Sequence, residues 1–551
     1  MIKNLHLSHK GSELKSLSPL EVLRLYPEHS YTLQSLFQSR IGAGPDRPFI
    51  VFDGKTWSWS EFNQTIQNMA QVLVGRGIRK GDRVGIMATN SHAHVLMLFA
   101  LSRIGAIMVP VNPEFGVKEA GYVLAHADVS AVACSESTLH VAREACKTIQ
   151  PAPWFMTVDG DGDNADAPRI SRLIAESPAV DLPQDITAED ICAIIYSSGT
   201  TGFPKGVMHS QRNFVVSGER HLARVHLQPS DRALCILPMF HINALFYSVA
   251  SAVVGGACLI VAPKFSASQF WRFATDNGAT QVNVIMAVST ILARRPREEF
   301  VKEHKLRVVN GAPFTQETLD VFMKEFNVGR VIEGFGMTEI PGAFSNPFDG
   351  PHKVASMGRL GVHADPATVW TQARILDDDG NDVPNNVTGE LVVKIPTMMK
   401  GYFRDPEQTK SSFRDGWFLT GDLVRRDDDD YFHFVARKKD IIRRRGENIA
   451  GAELDRIICE NPGVSEAAAI AVDSELGEDE IMVVVVKKPG ATITEADIRD
   501  WCAERLATHK VPRFVIFTDS LPHTPTHKIA KFVLKKNKGL REKAVDFQVK
   551  K

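Results

Sequence analysis

The chain has 551 residues and sets 64 Lys and Arg against 65 Asp and Glu, a balance that offers neither a basic surface for nucleic acid nor a globally charged membrane face. A single hydrophobic core does not extend over this length, so roughly two to four domains are expected. The seven cysteines, at 134, 146, 192, 235, 258, 459 and 502, are odd in number and show no C-x-x-C or Cys/His metal spacing, which fits a reduced, cytoplasmic setting.

The first thirty residues alternate charge and polarity (Lys3, His6, His9, Lys10, Glu13, Lys15) and lack the apolar core of a secretory signal. From about residue 30 to 436, short apolar runs at 84–87, 107–111, 131–134, 191–195, 258–261 and 282–286 alternate with helical stretches. Such runs predict a largely parallel sheet covered on both faces. Residues 244–262 are uncharged for nineteen positions, close to a bilayer-spanning length. Gly255 and Gly256 divide them, so a buried helix feeding a buried strand is expected rather than a transmembrane segment.

Short strands at 373–376, 389–395 and 431–435, separated by Asp, Asn and Gly turns, predict a small antiparallel or barrel-like part. The aspartate run 427–430 reads as a solvated hairpin turn, and the chain turns basic from Arg437 to Arg445. Beyond it a helix at 453–460 aligns Leu454, Ile457 and Ile458, a strand follows at 481–486, and Thr494 with Asp497 forms a capping box for a helix presenting Ile498, Trp501 and Cys502. These elements make a second, smaller α+β domain. No internal repeat is present.

The segment from Tyr196 to Lys205, Y-S-S-G-T-T-G-F-P-K, concentrates the chemistry. Ser197, Ser198, Thr200 and Thr201 supply hydroxyl donors, Gly199 and Gly202 allow close backbone approach, and Lys205 adds a cation. A polyphosphate is the ligand these groups suit. The loop is no Walker motif, because Pro204 precedes the lysine and Gly206 follows it, so the chain re-enters a strand instead of opening a helix.

This string resembles the phosphate loop of the adenylate-forming superfamily, which includes acyl-CoA synthetases, peptide-synthetase adenylation domains and firefly-type luciferases. The resemblance runs from about Tyr31 to Lys531 with several motifs in order. It implies an α/β fold: a large N-terminal domain of stacked sheets and helices with a small barrel-like part, and a small mobile α+β C-terminal domain. The implied divisions are an ATP- and acyl-binding domain over 1–436, a hinge at 437–440, and a lid over 441–551 that carries the key lysine.

Glu333-Gly334-Phe335-Gly336-Met337-Thr338-Glu339 resembles the adenine and metal motif, with Phe335 where Tyr is usual. The ring can stack on adenine, the Thr338 hydroxyl can meet a phosphate, and Glu339 is a hard oxygen ligand for Mg²⁺. Asn310 with Gly311, Ala312 and Pro313 resembles the loop between adenine and the acyl pocket. Asp422, in Thr420-Gly421-Asp422, suits a ribose diol, with Arg437 near the same sugar; the competing role for Asp422 is a structural ion pair. Lys528 stands at the family's adenylation lysine and is preceded by His527 in place of the usual Gly. The crotonobetaine/carnitine-CoA ligase subgroup shares that departure, and the run from Arg443 to Ile449 points the same way.

The resemblance further implies Lys439 as the hinge residue, Gly446, Glu447 and Asn448 along a pantetheine tunnel, and His241 as a gate to the acyl pocket. The arginines 443–445 are expected either to meet coenzyme A phosphates or merely to face solvent. The pocket itself is expected to be lined by His241, Ala244, Met286, Gly311, Gly336 and Met337, without an obvious counter-charge, for a short or medium acid.

The reaction so implied is ATP-dependent activation of a carboxylic acid to an acyl-adenylate, then transfer to coenzyme A, with release of AMP and pyrophosphate. The alternatives are a stand-alone adenylation enzyme loading a carrier protein in trans, since no carrier module is expected after Lys531, a luciferase-like oxygenase, and a non-catalytic nucleotide sensor. The joint presence of Lys205, Glu339, Asp422 and Lys528 argues against the last. The expected partners are the acid, ATP and coenzyme A, with no nucleic acid. The sequence is compatible with a homo-oligomer and does not fix the oligomeric state.

Overall fold

The chain is described by a computed structural model covering residues 16–160, 164–197, 204–444, 447–474, 479–523, 529–537 and 539–548, with the side chains of 447 and 448 outside the description. Two large sheets divide the apolar runs. The strands Arg83–Met87, Ile107–Pro110, Ala131–Cys134 and Ile191–Ser197 run parallel in a seven-stranded sheet, whereas Cys258–Val261 and Gln281–Asn283 belong to a nine-stranded one. The apolar runs thus form two largely parallel sheets, as the stacked sheets implied by the resemblance require, each with antiparallel strands at its margins.

What separates the sheets is a layer of enclosed helices. In Gln211–Val225 every residue except Arg212 and Ala223 is buried, and in His92–Arg103 the stretch Ala93–Ser102 is buried throughout. A helix covered on all sides cannot sit on a surface, and this layer joins both sheets in one core. Ser210 starts the first of these helices, its hydroxyl accepting from Asn213 N–H in a reciprocal capping box.

The uncharged segment 244–262 resolves as expected into a buried helix and a buried strand, Cys258–Val261. Its first turns, Asn243–Val249, are π-helical before Ala250–Gly255 continues as α-helix. Among the described residues no helix is long and apolar enough to cross a membrane. One further expectation fails: the strand expected at 282–286 ends at Asn283, opposite Asn310 of the neighbouring strand. There the chain leaves the sheet and starts the Met286–Arg294 helix, with Ile285 and Met286 exposed.

Strands Gln372–Leu376, Gly389–Lys394, Phe413–Arg414, Trp417–Arg426 and Phe432–Arg437 form the small antiparallel sheet expected from the turn-rich segment. After Arg437 a smaller α+β domain follows, its four-stranded sheet led by Val464–Asp473 and Asp479–Lys487, with separate apolar clusters on its two faces. The helices Gly451–Cys459 and Glu495–Arg505 pack there, the latter capped by Thr494 with Asp497 as the sequence predicts.

Packing in the central helix layer depends on Gly218, where a Cβ would come within 2.6 Å of the Ala250 carbonyl oxygen. Gly218→Ala is expected to force the two helices apart and to cost about 1–3 kcal/mol, read as a lower urea midpoint with an unchanged slope.

Candidate active site

The polyphosphate-suited segment lies in a hairpin. Ile191–Ser197 and Lys205–Ser210 are antiparallel partners, and Ser197 stands opposite Lys205 at the end of the hairpin where the two strands connect. Residues Ser198, Gly199, Thr200, Thr201 and Gly202 fall outside the described residues. The short strand Gly401–Tyr402 pairs with the Lys205–Ser210 strand and sets Tyr402 beside the lysine. The Lys205 ammonium lies 5.1 Å from the centre of the Tyr402 ring, and the Tyr402 hydroxyl donates to Glu339 Oε1 at 2.9 Å. Burial and the Glu339 carboxylate raise the Tyr402 phenol well above its ordinary range, so it stays a donor at any working pH. Thr338, next in line, accepts on its carbonyl from His209 Nε2 at 2.7 Å. Burial holds His209 down at about 4, so the ring is neutral and carries its proton on Nε2.

The segment 310–314 and the strand Arg330–Phe335 meet through Glu333. Its carboxyl is completely enclosed and accepts the Phe314 N–H at 2.8 Å, which fixes the chain just after Gly311, Ala312 and Pro313. Burial pushes Glu333 up to about 7 and pushes its neighbour His352, 3.5 Å away, down. Both groups are therefore driven toward their neutral forms. Gly334 and Phe335 pair with Ser345 and Phe344, and the Phe335 ring meets Phe344 edge-on at 5.9 Å. Gly336 is exposed, and Met337 and Thr338 are half-buried. His241, half-buried with its ring 4.4 Å from that of Phe240, follows the Pro238 turn. Of the other expected lining residues Ala244 and Gly311 are buried and Met286 is exposed.

Asp422 and Arg437 stand opposite one another on paired strands, and Arg437 Nε lies 2.7 Å from the fully buried Asp422 carboxylate. Gly421, at a left-handed φ of 67°, bends the strand just before the acid. Two residues past Arg437, burial and then the charges of Arg437, Lys205 and Lys535 hold the Lys439 ammonium below its ordinary value, against the raising effect of Asp440. The Lys439 carbonyl accepts from Lys535 Nζ at 3.1 Å.

Lys528 lies outside the described residues, as do Gly446 and the side chains of Glu447 and Asn448. The bracket around Lys528 is described: His523 bridges Ile529, and Lys531 starts the next helix, its ammonium on Asp455. Arg444 does not face solvent. It is buried, pairs with Glu480 at 2.8 Å and donates to the carbonyls of His509 and Val511, which corrects the expectation that it meets coenzyme A phosphates or water.

The sequence model of the family described as AMP-binding enzyme matches residues 37–403, and that of the AMP-binding enzyme C-terminal domain matches 453–528. The chain belongs to the AMP-binding enzyme family. This AMP-binding enzyme is 32% identical over 518 residues to the sulfoacetate–CoA ligase of Cupriavidus necator, covering 93% of this chain and 99% of that one. Crotonobetaine/carnitine–CoA ligase of Salmonella enteritidis, from the subgroup expected from the motifs, is 28% identical over 517 residues, covering 91% and 98%. The crystal structure of ATP-bound MatB from Rhodopseudomonas palustris matches with a TM-score of 0.78 at 28% identity, covering 94% of this chain and 99% of that one. The adenylate-forming superfamily and the acid–thiol ligase class expected from the motifs are those to which these relatives belong.

Two groups in this AMP-binding enzyme escaped the sequence reading. Tyr402 links Lys205 to Glu339 from far along the chain, and nothing local marks it. Arg220 and Arg224 rise from the enclosed Gln211–Val225 helix, Arg224 to the back of Gly334, where a Cβ would fall 2.9 Å from its guanidinium, and Arg220 to Ser345 and Gly361. Nothing local marks this pair either, because the same helix also carries Arg212, Glu219 and His221.

Glu333 yields a pH prediction. Its raised value means that the folded chain favours the neutral acid, a contribution complete below the ordinary 4.5 and lost as pH rises through about 7. Glu333→Gln copies the neutral acid, so relative to the parent the variant is expected to gain roughly 3 kcal/mol between pH 4.5 and pH 8, followed by urea midpoints across that range.

Proposed function

We propose that this chain is an ATP-dependent carboxylate–CoA ligase that forms an acyl-adenylate, releases pyrophosphate and passes the acyl group to coenzyme A. One observation supports the reading: the Tyr402 ring lies 5.1 Å from the Lys205 ammonium and its hydroxyl donates to Glu339 at 2.9 Å, so the lysine suited to phosphates and the carboxylate suited to magnesium adjoin one another. The large domain is read as 1–436 and the lid as 441–551.

Bringing a carboxylate against the α-phosphate sets anion against anion, so preorganised cations, rather than acid–base groups, lower the barrier. Lys205 and the hydroxyls of Ser197, Ser198, Thr200 and Thr201 hold the β- and γ-phosphates, with the backbone of Gly199 and Gly202 close by. Lys528 spans the incoming carboxylate and the α-phosphate. Asp422 takes the ribose hydroxyls with Arg437 beside it. Phe335, between Gly334 and Gly336, stacks on adenine, with Gly311, Ala312, Pro313 and Met337 around it. The enclosed Glu333 keeps the 311–314 segment in place.

The donor set fits magnesium: Glu339 is a buried hard-oxygen group with one oxygen on a phenol, and Mg²⁺ is typically held by one or two carboxylates plus substrate phosphates. Glu339, with Thr338 at the adjoining phosphate, would hold it, and it would supply charge neutralisation at the departing pyrophosphate. Closure of the lid shields the mixed anhydride from water. Rotation at Lys439 then withdraws Lys528 and brings Gly446, Glu447 and Asn448 to the thiol route, with His241 at the gate.

Separate assays of pyrophosphate and thioester test this. Lys528→Ala is expected to lower adenylation about 100- to 1000-fold while still converting supplied acyl-adenylate to thioester. Lys439→Pro is expected to adenylate and fail at thioester formation. Normal acid activation by Lys528→Ala would remove the role given to that lysine.

A further inference from the structure

The interior treats its arginines unequally. The buried Arg444 is paired with Glu480, and the half-buried Arg437 and Arg307 with Asp422 and Asp231. Arg40 lacks a carboxylate but directs its Nε and Nη2 to the carbonyls of Val253 and Val254. Arg220 and Arg224 have neither arrangement. They are only 2% and 4% exposed, and among the described residues no carboxylate lies within ion-pair distance of either. Arg220 Nη2 donates to Ser345 Oγ at 2.7 Å and Arg224 Nη2 to the Phe344 carbonyl at 2.9 Å. The Nε of each has no partner among the described residues.

A guanidinium remains charged in a protein interior. Two of them, four residues apart and without a carboxylate, are costly to bury. Groups retained at such a cost call for an occupant or a task. Nearby acceptors are also unmet: Asn310 Oδ1 and Gln281 Oε1 are buried without partners among the described residues, and both belong to the network that joins Asn283 to Ser248.

The location decides the task. The Arg224 guanidinium lies 5.5 Å over the Tyr247 ring. The Tyr247 hydroxyl accepts the Gly342 N–H at 2.9 Å and stands 2.6 Å from where a Cβ on the exposed Gly336 would be. Arg224 itself backs Gly334. Tyr247 and Arg224 thus stand behind the glycine ribbon assigned above to adenine and acyl group, with Arg220 on the same helix beside Ser345, Gly342 and Gly361.

We propose that the acid carries a second anionic group, a carboxylate or sulfonate, in addition to the carboxyl that is activated, and that Arg224, with Arg220 on the same helix, compensates it from behind Gly334, Gly336 and Tyr247. This rests on the ligase reading and gives its substrate class. It replaces the sequence-based expectation of a pocket without counter-charge.

The test is pyrophosphate release by the full-length enzyme with ATP and Mg²⁺ on two panels: straight-chain monocarboxylates, and dicarboxylates and sulfo-acids of the same chain lengths. The expected kcat/KM favours the best dianion by about 100-fold over its matched monoacid, and Arg224→Met collapses that ratio by a similar factor, chiefly through KM for the dianion. The melting temperature of Arg224→Met is expected to equal or exceed the parent's, because an uncompensated buried charge has gone. A parent enzyme that prefers monoacids overturns the inference and leaves the ligase reading standing, and this arm needs no variant. A ratio unmoved in a folded Arg224→Met overturns it equally. No release from either panel overturns the ligase reading and the inference with it.

Discussion

Enclosure of a helix layer between two sheets is the constraint on which the rest depends. The Gln211–Val225 helix has no solvent face, so its side chains must either pack or find polar partners. Close approach at Gly218 brings the Ala250–Gly255 helix against it, and the π-helical turns just before present Tyr247 and Ser248 to the same interior. Strand ends that carry the nucleotide motifs rest on this layer. The ribbon at Gly334 to Gly336 lies directly on Arg224 and Tyr247, so core packing and site geometry are one problem.

Charge is handled differently at the rim and beneath it. At the rim, carboxylates are matched: Asp422 faces Arg437 and Glu339 receives a phenol hydroxyl. Beneath the ribbon the handling is uneven: Arg220 and Arg224 have no carboxylate within ion-pair distance among the described residues, while the buried Glu219 of the same helix is turned toward His29 and His363.

Much of the fold could be read from the chain because buried parallel strands leave continuous apolar runs. The segments 131–134 and 258–261 appear with the bounds expected, each buried at every position. The capping box at Thr494 was legible because its signal is local. Stacked sheets were implied by the resemblance, but the allotment of strands between them was not legible, since an apolar run does not state which sheet it joins. The run at 282–286 misled for a related reason: Ile285 and Met286 are apolar yet exposed at the rim where the strand ends. In the candidate site the expected motifs are contiguous in sequence, whereas Tyr402 and the Arg220–Arg224 pair take their meaning from tertiary contact alone.

The phenol between Lys205 and Glu339 has a consequence for both. An ammonium and a carboxylate left to themselves in a sheltered cleft would close into a contact pair and cancel. With the Tyr402 ring under one and its hydroxyl on the other, each meets an aromatic spacer instead of its opposite. Neither belongs to an ion pair among the described residues, so two unlike charges persist side by side, insulated, each still able to attract a visitor of the other sign.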